Sequence, residues 1–230
     1  MLNSINAIIF DMDGLLIDSE GIALSTFIDS CRKHSFEPNI EVYYKCIGTN
    51  ASKTKEILLE GYGKNFPYKA ITELWVKKYR EETLNKPVPI KKGALSLLQY
   101  LEQEGVKKAV VTSSRKKNAL MKLSNTKLLH FFDFVLGGDQ VLNGKPNPEI
   151  YLTASQKLNE EPIRCLALED SDNGVLAAYN AGLTVIQVPD LKEPSVEITN
   201  LGHIIVKSLV EVEHILKQFD SVFSISNIAC

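Results

Sequence analysis

The chain has 230 residues, 26 of them basic and 28 acidic, for a formal charge of -2, and 44% of its residues are hydrophobic. That balance excludes the broad basic face of a nucleic-acid or anionic-membrane binder, and the length suffices for one large domain or a domain with a smaller insertion. Four cysteines, Cys31, Cys46, Cys165 and Cys230, stand apart without a C-x-x-C pair, which argues against a zinc knuckle or a disulfide framework and fits a reducing cytoplasm.

The opening residues MLNSINAIIFDMD lack a basic n-region and a cleavage site, and no apolar run approaches the roughly 18 residues of a membrane span, so a soluble cytoplasmic protein is expected. Within that opening, AIIF (7 to 10) is a continuous apolar run of the kind found in strands covered on both faces. From 18 to 92 no buried strand is evident; IALSTFIDSCRKH, SKTKEILLEGYG and AITELWVKKYREETL read instead as amphipathic helices. Alternation then begins, with a helix over GALSLLQYLEQEG (93 to 105), strands at KAVVT (108 to 112) and FDFVLG (132 to 137), and a helix over PEIYLTASQKL (148 to 158) whose proline suits a first turn. Further strands follow at CLALE (165 to 169), TVIQV (184 to 188) and HIIV (203 to 206).

Strands and helices in alternation predict an α/β fold with a doubly wound parallel sheet and right-handed crossovers. The helical interval reads as an insertion. We expect a core domain formed by residues 1–17 and 93–230 and an inserted helical domain over 18–92, with linkers near 18–21 and 86–93.

In an open α/β sheet, ligands gather at the carboxyl ends of the strands near the switch point, and four predicted strand ends carry polar groups. The first gives Asp11 and Asp13 with Gly14, whose missing Cβ permits a tight turn and close backbone approach. The second gives Thr112, Ser113 and Ser114, then the run Arg115 to Lys117, which reads as solvated surface. The third is followed by NGKPNPE with Lys145, and the fourth ends in Glu169 and Asp170, with Ser171 placed to cap a helix. The histidines, His34, His130, His203 and His214, have no metal-ligand spacing and read as structural.

These residue types suit a phosphate ester held by a divalent cation. A carboxylate approaching a phosphoryl group meets repulsion of about 4 kcal/mol at 4 Å with an effective dielectric near 20, so positive charge must offset it. Mg2+ bound by Asp11 and Asp170 would do so, with Lys145 adding a point charge. The Thr112 hydroxyl and backbone N–H groups after Asp11 would bind phosphoryl oxygens. Asp11 is then the nucleophile forming an aspartyl-phosphate, and Asp13 donates a proton to the leaving oxygen and later takes one from water.

The D-M-D-G of residues 11 to 14, Thr112, Lys145 in G-K-P-N-P and the Glu169-Asp170 pair in L-E-D-S-D-N-G together resemble the four motifs of the haloacid dehalogenase-like hydrolases. DMDGLLIDSE, GKPNPEIY and LEDSDNGVLAAYNAG are similar to the phosphatase and β-phosphoglucomutase branch, in which a helical cap follows the first motif. The resemblance runs from Ala7 to about Leu216. It implies a Rossmann-like core, Mg2+ and a mobile cap, and the second aspartate of D-x-D implies phosphoryl transfer. The implied catalytic set is Asp11, Asp13, Thr112 and Lys145, and the implied metal set is Asp11, Asp13, Glu169 and Asp170. Met12, Gly14, Thr112, Ser113 and Lys145 would bind substrate. Glu169 either touches the metal through a water or orients Lys145.

Two readings of the reaction stand side by side: a phosphatase for a small phosphorylated metabolite such as a sugar or polyol phosphate, and a β-phosphoglucomutase-like phosphohexomutase. The mutase branch places a histidine where this chain has Ala23, and a cap arginine where GTNASKT has none, so hydrolysis is expected; Lys77 or Lys78 remains available as a cap cation. The expected assembly is a monomer or weak homodimer.

Overall fold

The computed structural model describes residues 5–47 and 51–218 of the chain. Gly48 to Asn50 of the GTNASKT segment and Cys230 lie outside the described residues. Six parallel strands form one sheet: β1 (Ala7–Phe10), β2 (Lys107–Thr112), β3 (Phe134–Gly137), β4 (Cys165–Glu169), β5 (Thr184–Gln187) and β6 (Ile204–Ile205), in the spatial order β3-β2-β1-β4-β5-β6. The chain crosses to one side of β1 for β2 and β3 and returns past it to β4. The switch point therefore falls at β1, whose Ile9 is in register with Ala109 of β2 and Ala167 of β4.

Continuous apolar strands are required because side chains leave alternate faces and both faces are covered. Ile8, Phe10, Val110 and Leu168 point to one face, packed against α5 (Ala94–Gln103), α6 (Lys116–Asn125) and α10 (Leu209–Gln218). Ala7, Ile9, Val111 and Ala167 point to the other, against α7 (Glu149–Leu158) and α8 (Asp172–Asn180). The expectation for HIIV needs correction. At the sheet edge β6 pairs through two residues, and Ile204 and Ile205 are 38% and 39% exposed, because among the described residues no further strand pairs with β6.

The interval after β1 is helical: α1 (Ser19–Lys33), α2 (Ile40–Cys46), α3 (Ala51–Tyr62) and α4 (Tyr68–Leu84). Phe27 of α1, Tyr43 of α2, Leu58 of α3 and Ile71 of α4 share an apolar cluster separate from those on the sheet, edged by Trp75. Two chain segments join these helices to the sheet, and they run side by side: Ile17 bridges Ile90, Asp18 N–H donates to Pro89 O at 2.8 Å, and Lys91 N–H to Leu16 O at 3.0 Å. Among the described residues no helix is long and apolar enough to cross a membrane. A short helix, α9 (Val196–Thr199), precedes β6.

Candidate active site

The carboxyl ends of β1, β2 and β4 open into a cavity of about 510 Å³, closed on the far side by Glu20, Ile47 and Tyr79 from the helical interval. Asp11 follows β1 directly, and its N–H donates to Leu168 O at 2.9 Å, so pairing with β4 continues into the site and fixes its backbone. The chain then turns sharply. Gly14 adopts φ +89°, and a Cβ there would lie 2.3 Å from Asp170 Oδ2, so both conformation and space demand glycine. Met12 sends its side chain into the core and leaves only backbone for a ligand; its carbonyl accepts the N–H groups of Leu16 and Ile17.

Asp11, Glu169 and Asp170 form one acidic cluster, with one oxygen from each lying within 4.8 Å of the others. Lys145, reaching in from the loop before α7, donates to Asp11 Oδ1 and Glu169 Oε1 at 2.5 Å each. Glu169 is fully buried. It also accepts from the Tyr151 hydroxyl at 2.6 Å and from the N–H groups of Asp170 and Ser171 at 3.2 and 3.4 Å. It therefore orients Lys145 directly and belongs to the acidic cluster as well. Gly174 in the first turn of α8 lies against this carboxylate, where a Cβ would come within 2.0 Å, while Ser171 caps the helix by accepting from Gly174 N–H at 3.2 Å.

Three carboxylates around one ammonium leave the cluster negative. Burial first, and then Glu169 and Asp13, raise Asp11 to about 7 against the pull of Lys145. Burial, Asp11 and Glu169 raise Asp170 well above the carboxylate range. A hard divalent cation bound by oxygen fits this donor set, because it would relieve the repulsion that the buried acids now carry.

Asp13 occupies a different environment, and its carboxylate is not part of that cluster. Oδ1 accepts from the Ser19 hydroxyl and from Lys122 Nζ at 2.6 Å each; Oδ2 accepts from the hydroxyls of Ser114 at 2.8 Å and Thr112 at 3.2 Å. Burial pushes this carboxyl up, but Lys122 and the hydroxyls more than offset it, and the group lies below its ordinary value. Lys122, on α6 and 2% exposed, also donates to the Tyr79 hydroxyl of α4 at 2.9 Å.

All the sequence-predicted site residues thus border one place, with three changes of detail. Asp13 turns its carboxylate to hydroxyls and Lys122 instead of to the acids. Of the two serines after the second strand, Ser114 joins Thr112 in donating to Asp13, while Ser113 lines the cavity and is exposed. Neither Lys77 nor Lys78 lines the cavity: Lys77 lies 4.0 Å from Glu81, and Lys78 donates to Asp29 at 3.0 Å. Lys122, Tyr79, Ser19 and Tyr151 were not singled out from the sequence. Only Ser19, beside the D-x-D segment, carried a positional signal.

The model of the haloacid dehalogenase-like hydrolase family matches residues 8–188. A phosphorylated carbohydrates phosphatase of Thermotoga maritima is 31% identical over 77% of this chain and 82% of its own length. Validoxylamine A 7'-phosphate phosphatase of Streptomyces hygroscopicus is 30% identical over 89% of this chain and 94% of its own. Among solved structures, a HAD family hydrolase from Deinococcus radiodurans with bound phosphate and sodium has the same fold, with TM-score 0.83 at 24% identity over 96% of this chain and 98% of that one.

Proposed function

The chain belongs to the haloacid dehalogenase-like hydrolases and is a phosphoric monoester hydrolase, and on that premise we propose that it is a Mg2+-dependent phosphatase for a small sugar or polyol phosphate, working through an aspartyl-phosphate. The observation that carries the reading is the division of two neighbouring aspartates between two environments. Asp11 lies with Lys145 and the acids, Asp13 with hydroxyls and Lys122. Paired carboxylates in contrasting surroundings divide nucleophilic and proton-transfer roles.

Mg2+ held by Asp11, Asp170 and, directly or through water, Glu169 would supply the positive charge that lets Asp11 remain ionised beside a phosphoryl group. Asp11 attacks phosphorus, and the bond to the leaving oxygen breaks. Lys145 neutralises phosphoryl charge, while Thr112, Ser113 and the backbone between Met12 and Gly14 bind its oxygens. Asp13 must enter this step protonated, and the phosphoryl dianion beside it favours that form by like-charge repulsion. It gives its proton to the leaving oxygen. In the second step water attacks the aspartyl-phosphate and Asp13, now ionised, takes the water's proton. The state in which the free site holds Asp13 is the one this second step needs.

Residues 18–92 act as a cap on a core of 1–17 and 93–230, with the paired linkers at Ile17 and Ile90 as the joint. Ala23 has no group to move a proton, which favours water over a sugar hydroxyl as acceptor. Assaying phosphate release from sugar and polyol phosphates with Mg2+, alongside β-glucose 1-phosphate with a bisphosphate primer, tests the reading. Phosphate release is expected to prevail. Formation of glucose 6-phosphate at ten times the rate of phosphate release, a barrier difference of about 1.4 kcal/mol, would replace hydrolysis with the mutase reaction.

A further inference from the structure

Glu20, in the first turn of α1, makes no hydrogen bond or ion pair with any described residue, yet it stands where three cavities meet. The first is the active-site cavity. The second, about 270 Å³, shares Glu20, Ile47 and Tyr79 with it and continues between the helices, walled by Ala23, Tyr43, Trp75 and Val76. The third, about 230 Å³, lies past Asp170 and is bordered by Asp172, Asp190 and Lys192.

The walls of the second cavity decide what it can hold. Among the described residues they carry aromatic and aliphatic surface with Cys46 and Thr54, and no lysine or arginine. Trp75 is held in place, its Nε1 donating to Ala23 O at 2.9 Å, so its ring is a fixed surface. In the third cavity Lys192 is the sole cation among the described lining residues, and an anion approaching it would meet the carboxylates of Asp170, Asp172 and Asp190.

We propose that the second cavity receives the leaving group and that Glu20 selects it, favouring monophosphates of uncharged, hydroxyl-bearing compounds with a flat or aliphatic face over esters that carry a second phosphate or a carboxylate. The inference rests on the phosphatase reading above and goes further in naming what the ester carries. Protonated or ionised, the Glu20 carboxyl accepts a hydroxyl of the leaving group. The carboxyl is partly buried and borders the cavity, so a leaving group that offers it a hydroxyl is discriminated from one that brings a second anion or no donor. A second anion finds no cation among the described residues that line this cavity to offset the carboxylate.

The test uses matched esters with Mg2+: glycerol 1-phosphate against 3-phosphoglycerate, and fructose 6-phosphate against fructose 1,6-bisphosphate, with 4-nitrophenyl phosphate as the reference for phosphoryl transfer itself. The wild-type enzyme is expected to show at least about tenfold higher kcat/KM for the neutral member of a pair. Glu20→Leu should lower kcat/KM for neutral esters at least about tenfold more than for 4-nitrophenyl phosphate, mainly through KM, and Glu20→Gln should lower it less. Equal or reversed preference in the wild type overturns the proposal, and so does a Glu20→Leu loss that is the same for all esters. Should the variants fail to fold, the wild-type preference alone decides. A wild-type enzyme that leaves 4-nitrophenyl phosphate intact as well would overturn the phosphatase reading, and the selection with it.

Discussion

Lys122 Nζ donates to Asp13 Oδ1 across 2.6 Å, a contact between residues 109 positions apart. The same ammonium reaches the Tyr79 hydroxyl, so one buried charge joins the helical interval, the core and the proposed acid–base residue. Lys122→Met removes one partner of a buried pair, which leaves Asp13 with Ser19, Ser114 and Thr112 but no counter-charge. We expect a loss of about 2–3 kcal/mol in stability, below the 3–5 kcal/mol of a fully abandoned buried charge. The kcat should fall at least about tenfold as Asp13 loses its fixed position. Denaturant melts of Lys122→Met, Asp13→Asn and the double variant check this: the double variant should be more stable than the sum of single losses predicts. Simple additivity would mean the two residues do not act on each other.

Why Lys122 was not legible in the sequence is instructive. In ALMKLSN nothing distinguishes it from a solvated helix lysine, and its role arises only because α6 packs beneath α4. Tyr79 and Tyr151 have the same origin, being placed by helix packing across elements distant in the chain. The residues that were legible stand at strand ends. Strands covered on both faces advertise themselves as apolar runs, and Asp11, Thr112 and the Glu169-Asp170 pair stand at or directly after such runs. Which of two adjacent serines faces Asp13 was not legible, because the conformation of the loop after β2 decides it. The edge strand at Ile204 was overestimated, since an apolar run alone does not say how many neighbours cover it.

The acidic cluster makes a prediction independent of turnover. Mg2+ should raise the melting temperature of the wild-type protein by binding the folded form, a stabilisation of about 2.7 kcal/mol at a hundred times the dissociation constant. Asp170→Ala removes a proposed hard oxygen ligand, so its melting temperature should respond to Mg2+ far less. Relief of repulsion should leave its metal-free stability equal to or above that of the wild type. Calorimetric melts with chelator and with excess Mg2+ measure both. Identical Mg2+ responses in the two proteins would remove Asp170 from the metal site.

Glu20 gives a pH signature. Burial, then Asp13 and Asp190, raise it from the ordinary 4.5 to about 7. Because the folded pKa is the higher one, the folded state holds the proton more tightly. Its stabilising effect is complete below about 4.5 and is lost as pH rises towards 7. Glu20→Gln, which stays neutral, should match the wild type near pH 4.5 and exceed it above pH 7 by on the order of 2 kcal/mol in chelator. Melts of both proteins across that range check it; a constant gap at every pH would show that Glu20 does not titrate with folding.

The central claim is that the Asp11 carboxylate is the nucleophile, and phosphate release by a folded Asp11→Asn protein tests it most directly. Asparagine keeps the size of the side chain and removes the attacking charge, while the fold should survive because one repulsive member of the acidic cluster is neutralised. The account predicts a cooperative melt comparable to the wild type, together with a loss of at least about 10³-fold in phosphate release from esters the wild type hydrolyses. Near-normal turnover by folded Asp11→Asn would contradict it.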